Sequence, residues 1–509
     1  MKIVKPVIGM LVVLSSCLSE SDHPGNGISL ADSMPTDSLL ADSLEAVSIP
    51  VDSLQLALDS FNLDTVLRNA SFSYLIYDVT DDSILAEKDP DLSLVPASTI
   101  KLFTSAAALE LLGPRSRFRT RLLCDGTIVN GQLKGNLIIK GGGDPTFCFG
   151  EQTMNNVFAS WANALSTLHV DSVEGDILGD GSIFSSDNIP YTWCWGEINL
   201  GYSAAPAGLS INGNLFKLVF DPSRKGWVNP VAGRMNPENP NCRFLNNVVV
   251  HEGDKEIYLI GYPTQDEKMI RGTTNAGVTL TEVIGVMHDP ALVAAMEFKK
   301  KLIEKGIAVS GEALSVNSSD TVSRSDSVNR LKEIAVIWSP TVNSIVYNVN
   351  HHSNNFFAEI LLKHLGIKKY RSGSTEAGIR AVRSFLQSKG IDLSGFYMYD
   401  GSGISRYNSV TARQLVALLK VMQTSPVSEN FRSSLSVAGV SGTLGSICTD
   451  PEIAGKIHGK SGTMTRIRSY AGYATSPSGH QLIFAIIANN FNCSSLEMRK
   501  KMEALLRQL

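Results

Sequence analysis

The hydrophobic pattern at the front of the body of the chain changes from a two-residue period to a helical one. Residues 71–91 alternate between apolar and polar side chains, which predicts a β-hairpin with its turn at Thr80-Asp81-Asp82. The next stretch, LVPASTIKLFTSAAALELLG, is rich in Ala and Leu and lies between Pro96 and Gly113-Pro114. Proline favours the first turn of a helix and glycine the position after its end, so this stretch predicts a buried helix.

The middle and the end of the chain have contrasting patterns. From about residue 119 to 340, short apolar runs are separated by Gly, Asn and Pro, which predicts many short strands. Later periodicities predict helices at about 353–366, 374–389, 411–423 and 494–508, and strands at 469–475 and 481–489. We therefore expect an α/β (α+β) fold in which residues 63–118 and 341–509 form one domain, interrupted by a β-rich insertion at 119–340.

The N-terminal 16 residues have the pattern of a secretory signal peptide. Lys2 and Lys5 precede an apolar run over 7–14 that is too short to span a bilayer. Leu14-Ser15-Ser16-Cys17 resembles a bacterial lipobox, in which the cysteine becomes the lipidated first residue; the alternative is an ordinary cleaved signal. We expect an exported, periplasmic lipoprotein that is anchored to a membrane through Cys17.

Residues 17–62 are predicted to form a disordered tether. The segment is rich in Ser and repeats the dipeptide Asp-Ser, and residues 18–64 hold nine acidic residues and no Lys or Arg. Its last part, from about Leu54 to Leu67, has apolar spacing that also suits a first helix. Without those acids and the two leader lysines, the formal charge changes from −4 to +3, which gives no case for a nucleic acid partner.

Six further cysteines leave the redox state open. They are Cys124, Cys148, Cys194, Cys242, Cys448 and Cys493. None forms a C-x-x-C pair, so a zinc or thioredoxin-type site has no support. Disulfides and buried free thiols both remain possible in an exported protein.

Ser98 and Lys101 form the first chemical motif. Their i, i+3 spacing on a helix puts the hydroxyl and the amine on one face, within reach of a hydrogen bond. A serine needs an adjacent base, and burial against the apolar stretch 102–109 lowers the pKa of a lysine, so neutral Lys101 can take the hydroxyl proton. The alternative is a capping serine with a lysine whose amine reaches solvent.

A second motif stands at residues 353–355, Ser-Asn-Asn, before a helical apolar run. The hydroxyl of Ser353 can pass a proton, and the amide of Asn355 can both donate to and accept from a peptide backbone. The alternative function of this triplet is a helix N-cap.

The third motif surrounds Lys460. Gly459-Lys460-Ser461 looks like part of a phosphate-binding loop, but the preceding glycine is one residue too close and a strand pattern follows, so we reject a nucleotide site. The order S-x-x-K, S-x-N, K-[ST]-G instead resembles the penicillin-recognising serine enzymes. That resemblance implies that Lys460 binds a substrate carboxylate and relays a proton, that Gly462 allows close approach, and that the Ser98 and Thr463 amides form the oxyanion hole.

The spacing narrows the resemblance to one family. Ser353 lies 255 residues after Ser98, which is more than a compact β-lactamase needs. Residues 55–505 resemble the D-alanyl-D-alanine carboxypeptidase/endopeptidase family, class C low-molecular-mass penicillin-binding proteins (peptidase family S13). The matching stretches are PASTIKLFT, GNLIIKGGGDPT, YSAAPAGLSINGN, DGSGISRYN, VAGVSGTL and KSGTMTRIRSYAGY.

Membership of this family implies a fold, an activity and partners. The fold would be a transpeptidase/β-lactamase-like domain with an antiparallel sheet flanked by helices, and the insertion would consist of two nested subdomains. The activity would be cleavage of D-Ala-D-Ala termini or D-Ala–diamino acid cross-links in peptidoglycan, without a metal or another cofactor. Peptidoglycan stem peptides would be substrates, and β-lactams would acylate Ser98.

The resemblance also points to more peripheral residues. Asp144 would bind a substrate amine or else form an Asx-turn, and Arg406 would bind a carboxylate or amide or else be a surface cation. Met464 would line the side-chain pocket or belong to the core. Asn354 and Ser461 depart from the commoner residues of the second and third motifs, and Ser461 keeps the hydroxyl.

Other classes of hydrolase and a protein without catalytic activity are considered as alternatives to this family. The chain lacks H-E-x-x-H and G-x-S-x-G motifs, so its histidines do not indicate a zinc hydrolase or a Ser-His-Asp hydrolase. A serine β-lactamase or esterase of the same superfamily is an alternative enzyme. A catalytically silent lipoprotein that binds the cell wall is the alternative outside enzymes.

Overall fold

The fold was analysed in a computed structural model. The structure describes residues 51–228, 234–252, 255–262, 265–316 and 331–509. The predicted signal peptide, Cys17 and most of the predicted tether lie outside the described residues. Within those ranges, no helix combines the length and the apolar character needed to cross a membrane.

The first part of the body contains the helix with the nucleophile candidate. Its elements are α1 (Val51–Asn62), β1 (Ser71–Asp78), β2 (Ser83–Lys88) and α2 (Lys101–Leu112). A 3₁₀ turn, Ala97–Ile100, leads directly into α2, which ends at Gly113 with φ of 89°. The hairpin and the buried helix predicted from the sequence are thereby confirmed.

The middle of the chain is rich in strands, as predicted. Its strands are β3 (Arg119–Cys124), β4 (Thr127–Val129), β5 (Gln132–Lys134), β6 (Leu137–Lys140), β7 (Ser172–Val173), β8 (Ile177–Asp180), β9 (Leu215–Phe220), β10 (Gly226–Val228), β11 (Met235–Asn236), β12 (Arg243–Asn246), β13 (Val249–Val250), β14 (Glu256–Ile260), β15 (Glu267–Thr274), β16 (Thr281–Val286), β17 (Ala308–Val309), β18 (Ala313–Val316) and β19 (Lys332–Trp338). Two helices, α3 (Glu151–Thr167) and α4 (Pro290–Glu304), pack against them.

The last part returns to longer elements. They are α5 (Val342–His351), α6 (Asn355–Tyr370), α7 (Thr375–Ser388), α8 (Ala412–Gln423), α9 (Ser428–Ser434), β20 (Ser436–Val437), β21 (Ile457–Met464), β22 (Ile467–Thr475), β23 (Gln481–Asn489) and α10 (Ser495–Leu506). The predicted helices and strands of this part all have counterparts here.

Both ends of the chain contribute to one antiparallel sheet. Among the described residues it has six strands in the order β2-β1-β23-β22-β21-β20. Successive side chains of a strand face opposite sides of a sheet. In β23, Ile483 and Ile487 therefore join a core with α2 and α5–α8, whereas Phe484 and Ile486 join a second core with α1 and α10. The sheet is flanked by helices on both faces, as expected.

The strand-rich region has a hydrophobic core of its own. Buried residues between Leu122 and Ile307 form this third cluster, which includes Trp161 on α3 and Phe298 on α4. Phe184 and Ala204 of the same region join the core around α2 instead. This cluster lies within the predicted insertion at 119–340, whose bounds and division into nested subdomains stay predictions.

Two sequence expectations need correction. The predicted tether was extended to residue 62, but α1 begins at Val51, because Leu54, Leu58 and Phe61 lie at helical spacing and pack into the core beside α10. The third motif was expected at the start of a strand, but Lys460 lies inside β21 and the following strand pattern is β22. A two-residue turn at 465–466 joins these strands without a Gly, Pro or Asn to mark it.

The cysteines of the described ranges are free thiols. Cys124, Cys148, Cys242 and Cys448 are buried, and Cys194 and Cys493 are partly exposed. The structure thus favours the free-thiol alternative. Burial raises the pKa of the Cys448 thiol to about 11, so this group is a poor nucleophile at neutral pH.

Candidate active site

Ser98 and Lys101 meet in the 3₁₀ turn that precedes α2. Residues i and i+3 of a 3₁₀ helix lie directly above one another. The amine Nζ of Lys101 accordingly lies 2.9 Å from Ser98 Oγ, within hydrogen-bond distance. Ser98 is partly exposed, whereas the Lys101 side chain is completely buried. This pair has the geometry of a nucleophile with its base.

Lys101 is held by acceptors from three parts of the chain. Besides Ser98, its amine donates to Asn355 Oδ1 at 2.6 Å and to the carbonyl of Ser402. Burial lowers the pKa of Lys101 from 10.5 to about 7, and the carboxylates of Asp400 and Glu359 act in the opposite direction. A large fraction of Lys101 is therefore neutral near pH 7 and able to accept a proton.

The backbone around the nucleophile is tightly enclosed. Ala97, which precedes Ser98, has φ of 47°, a left-handed conformation that costs free energy for a residue with a side chain. Gly462 and Gly403 pack against this turn. A Cβ on Gly462 would lie 2.5 Å from the Pro96 carbonyl oxygen and 3.0 Å from Ser98 N. Because Gly462 has no side chain, the turn that holds Ser98 can pack against it. The sequence had suggested only that this space lets a ligand approach.

In the second motif, the residue that caps the helix is not one of the two residues that contact Lys101 and Lys460. Asn354, not its neighbours, is the N-cap of α6, since its side chain accepts from the amide of Phe357 at 3.0 Å. Ser353 has φ of 56° and accepts a hydrogen bond from Lys460 Nζ at 2.9 Å. Asn355 accepts from Lys101 and donates to the Tyr202 carbonyl at 2.9 Å. Residues 353 and 355 are therefore available to the site.

Lys460 completes the group of polar side chains, and its burial opposes the positive charge that was expected there. It is fully buried, and its amine donates to Ser353 Oγ and to the Ser461 carbonyl at 2.7 Å. Burial and the nearby Lys101 amine hold the pKa of Lys460 well below 10.5. The resemblance implied a lysine that binds a substrate carboxylate. An arriving anion would favour the protonated form of this buried amine.

Beyond Gly459, strand β21 has a free edge in the described sheet. β20 pairs only with Gly459 and His458, so the edge of residues 460–464 is open on that side. Thr463 is exposed and Met464, the last residue of β21, is partly exposed. Ser461 Oγ donates to Thr443 Oγ1 at 2.8 Å. An open strand edge can bind an extended peptide through main-chain hydrogen bonds.

Two of the peripheral residues, Asp144 and Arg406, have polar contacts within the protein. Asp144 is buried and accepts from both the amide and the hydroxyl of Thr146, at 2.8 and 2.7 Å, which is the Asx-turn geometry. Burial raises the pKa of Asp144 to about 6. Arg406 lies 3.6 Å from Glu197 and is partly exposed. The substrate contacts proposed for Asp144, Arg406 and Met464 remain predictions.

Sequence reasoning missed the loop that supports Lys101. The sequence suggested only a turn for Asp400 and Ser402, but the Ser402 carbonyl accepts from the Lys101 amine. The buried Asp400 carboxylate organises this loop by accepting from the Gly403 and Ser405 amides and from the Asn408 amide group. Trp193 Nε1 of the insertion donates to the same carboxylate at 2.9 Å. The stretch DGSGISRYN was a signal that could have indicated this function.

Three histidines lie near these motifs. His351 stacks on Tyr347 at 4.5 Å between ring centroids, and its Nδ1 lies 3.2 Å from the Leu435 carbonyl. His352 is exposed, and burial lowers the pKa of His458. The contacts of His351 are those of a packing residue.

The sheet with its helical layers and the Ser98–Lys101 pair define an active-site serine enzyme of the penicillin-recognising type. A model of the D-Ala-D-Ala carboxypeptidase 3 (S13) family matches residues 54–509. The chain belongs to this family.

Several similar proteins are named as D-alanyl-D-alanine carboxypeptidases or penicillin-binding proteins. The D-alanyl-D-alanine carboxypeptidase of Actinomadura sp. (strain R39) is 27% identical over 446 residues, which are 85% of this chain and 80% of that protein. The D-alanyl-D-alanine carboxypeptidase DacB of Haemophilus influenzae is 24% identical over 459 residues, or 86% and 90% of the two chains. The crystal structure of penicillin binding protein 4 (dacB) from Haemophilus influenzae has a TM-score of 0.74 at 22% identity and covers 90% of this chain and 98% of that one.

These comparisons confirm the central sequence expectations. The family, the α/β fold class and the enzyme class, a serine-type D-Ala-D-Ala carboxypeptidase, agree with the interpretation from the three motifs.

Proposed function

We propose that the protein is a serine D,D-peptidase that cleaves D-Ala-D-Ala termini or D-Ala–diamino acid cross-links of peptidoglycan through an acyl-enzyme. The observation that carries this proposal is the buried Lys101 amine 2.9 Å from Ser98 Oγ. A buried, largely neutral amine beside a hydroxyl can activate it without a histidine or a metal.

Ser98 forms the acyl-enzyme with Lys101 as its base. Ser98 Oγ attacks the carbonyl carbon of the D-Ala residue that will become the acyl group, and its proton passes to Lys101 Nζ. The oxyanion lies between the amides of Ser98 and Thr463, a position supported by the close approach of Gly462 to Ser98 N. The substrate lies along the free edge of β21 as an added strand.

Ser353 and Lys460 carry the proton to the leaving group. They are hydrogen-bonded at 2.9 Å, and burial holds the pKa of Lys460 well below 10.5, which makes it easier for this amine to return a proton that it receives. The C–N bond breaks as the departing amine gains this proton. Water then attacks the ester on Ser98, which releases the shortened peptide and restores the hydroxyl.

Labelling by a fluorescent penicillin tests this function directly. The wild-type protein should be labelled on Ser98, and Ser98→Ala should abolish labelling. A suitable control is Ser388→Ala, because Ser388 ends α7 and its hydroxyl donates to the Phe385 carbonyl of the same helix at 2.6 Å. Labelling that persists in Ser98→Ala would refute the proposal. Identification of the products from purified muropeptides would then separate carboxypeptidase from endopeptidase activity.

The alternatives predict different results in the same experiments. A β-lactamase or esterase would turn penicillin over rapidly, so the lifetime of the penicilloyl-enzyme distinguishes it from a peptidase. The related Haemophilus influenzae protein has been crystallised with a β-lactam, which supports stable binding by this fold. A silent wall-binding protein would show no covalent labelling.

We further propose that the protein is exported to the periplasm and attached to a membrane through lipid on Cys17. The leader and lipobox carry this proposal. Metabolic incorporation of a radioactive fatty acid tests it: the wild-type chain should become labelled and Cys17→Ser should not. Equal labelling of the two would refute attachment at this residue.

A further inference from the structure

A buried carboxyl group lies under the catalytic amine and has no assigned function. Glu359 is on α6, one helical turn after Asn355, so both side chains are on the same face of the helix. Asn355 accepts from Lys101, which places this helix face against the amine. Glu359 is 1% exposed. Its position therefore couples it to the base rather than to solvent.

The loop that accepts from Lys101 packs directly on this part of α6. A Cβ on Gly401 would lie 3.1 Å from the Ala358 carbonyl and 3.1 Å from Leu362 Cβ. Thr104 of α2 donates to the Gly401 carbonyl at 2.8 Å and fixes the loop from the other side. Glu359 is thus enclosed by the helix that holds Lys101 and the loop that binds it.

Glu359 is not neutralised by an ordinary ion pair. Its Oε1 atom is buried and has no hydrogen-bond partner in the described part of the chain. A buried polar atom without a partner costs free energy, so its presence at this position needs a physical explanation. Structural roles alone would be served as well by a neutral side chain of this size.

The charged groups around Glu359 come from several elements. Burial and the Asp400 carboxylate raise the pKa of Glu359, whereas the Ser402 hydroxyl, the Gly401 amide and the Lys101 amine lower it. Lys363, one turn further along α6, also faces Glu359 and donates to the Asp187 carbonyl. Lys460 approaches Lys101 from β21.

We propose that Glu359 is a positioning residue that governs how readily Lys101 accepts the proton of Ser98. The ionised carboxylate stabilises the ammonium form of Lys101, and the protonated carboxyl does not. The two groups therefore titrate together: the change from ammonium to neutral amine is spread over a wider pH interval than a single ionisation would give, and its midpoint lies at higher pH than it would without the carboxylate. This inference rests on the proposed function, since it requires Lys101 to be the base.

The pH profile of acylation tests the inference. The second-order rate constant for labelling by a fluorescent penicillin would be measured from about pH 5 to about pH 9 for the purified wild-type and variant proteins. Glu359→Gln removes the charge at nearly constant shape. The midpoint of its acid limb should move to lower pH by up to about one unit, because an opposite charge at close range shifts a pKa by this amount and the raised pKa of Glu359, about 8, leaves the carboxylate only partly ionised at the midpoint.

Companion variants keep the test decisive. Glu359→Leu also removes the charge, and replaces a buried polar group with an apolar one, so it serves if the glutamine variant does not fold. Glu359→Asp keeps the carboxylate and should keep the wild-type midpoint. The matched control is Glu110→Gln on α2, whose carboxylate pairs with Lys389 and should not affect the midpoint.

The outcomes are distinguishable from failure of the proposed function. A shift in Glu359→Gln or Glu359→Leu, with none in Glu359→Asp or Glu110→Gln, would support the inference. A slower reaction with an unchanged midpoint in the charge-removing variants would overturn it and leave a purely structural residue. Persistent labelling of Ser98→Ala would instead refute the function on which the inference rests.

Discussion

Replacing Gly462 by alanine should separate the geometry of the nucleophile turn from the stability of the fold. The added Cβ would lie 2.5 Å from the Pro96 carbonyl oxygen and 3.0 Å from Ser98 N, and would also contact Ser469 Oγ. An ordinary contact of this kind is about 3.4 Å, so Pro96 or β21 must move by about 1 Å. Because Pro96 precedes the turn with Ser98, the movement displaces the nucleophile and the adjacent amide together.

The expected loss of activity exceeds the loss of stability. Overpacking of a well-packed site costs about 1–3 kcal/mol in the free energy of unfolding, which this body of the chain can absorb. A displacement of about 1 Å in the reacting groups reduces catalysis about 100-fold. We expect Gly462→Ala to remain folded while its second-order rate constant for acylation falls by about two orders of magnitude.

The assay combines fluorescent-penicillin labelling rates with thermal unfolding. Gly196→Ala is a useful control, since its Cβ would have no atom within 4 Å and its φ lies outside the left-handed region. It should label and melt like the wild type. Wild-type labelling by a folded Gly462→Ala protein would show that the close approach of β21 to the Ser98 turn is not needed for catalysis.

Two further predictions address the base and the first helix. Burial lowers the pKa of Lys101 to about 7, so acylation should slow as the pH falls through about 7 and the amine becomes protonated. An acylation rate that does not depend on pH between about 5 and 9 would contradict the assignment of Lys101 as the base. Leu58 of α1 is 1% exposed, so Leu58→Ala should lower the free energy of unfolding by about 2–5 kcal/mol, measured by denaturant titration. The exposed Leu56, on the same helix, is the control, and equal effects of the two alanine variants would show that α1 is not part of the folded body.

The sequence predicted helices and strands best where a single local pattern of residue types determines the element. The alternation in β1, the continuous apolar run of β23 and the apolar helix after Ser98 predicted their elements, because burial of alternate or successive positions is read directly from residue type. The order of the three motifs likewise predicted which side chains meet. Ser98 and Lys101, and Ser353 and Lys460, are hydrogen-bonded as this order implied.

The remaining features depend on contacts between distant segments. The two-residue turn before β22 has no Gly, Pro or Asn, so the end of β21 was invisible to turn propensity. The protonation of Lys460 depends on burial and on a second lysine that is more than 350 residues earlier in the chain. The carbonyls of Ser402 and Tyr202 act through the backbone, and residue type says nothing about a carbonyl acceptor.

The hydrogen bonds from Asn355 to the Tyr202 carbonyl and from Trp193 to Asp400 have a consequence for engineering. A minimal enzyme made by excising residues 119–340 would strip both Asn355 and Asp400 of a partner and leave the catalytic centre unsupported. Chimeras between family members should accordingly exchange segment 193–202 together with segment 400–408. About 200 residues of sequence separate these two segments, but the hydrogen bond between Trp193 and Asp400 joins them in the fold.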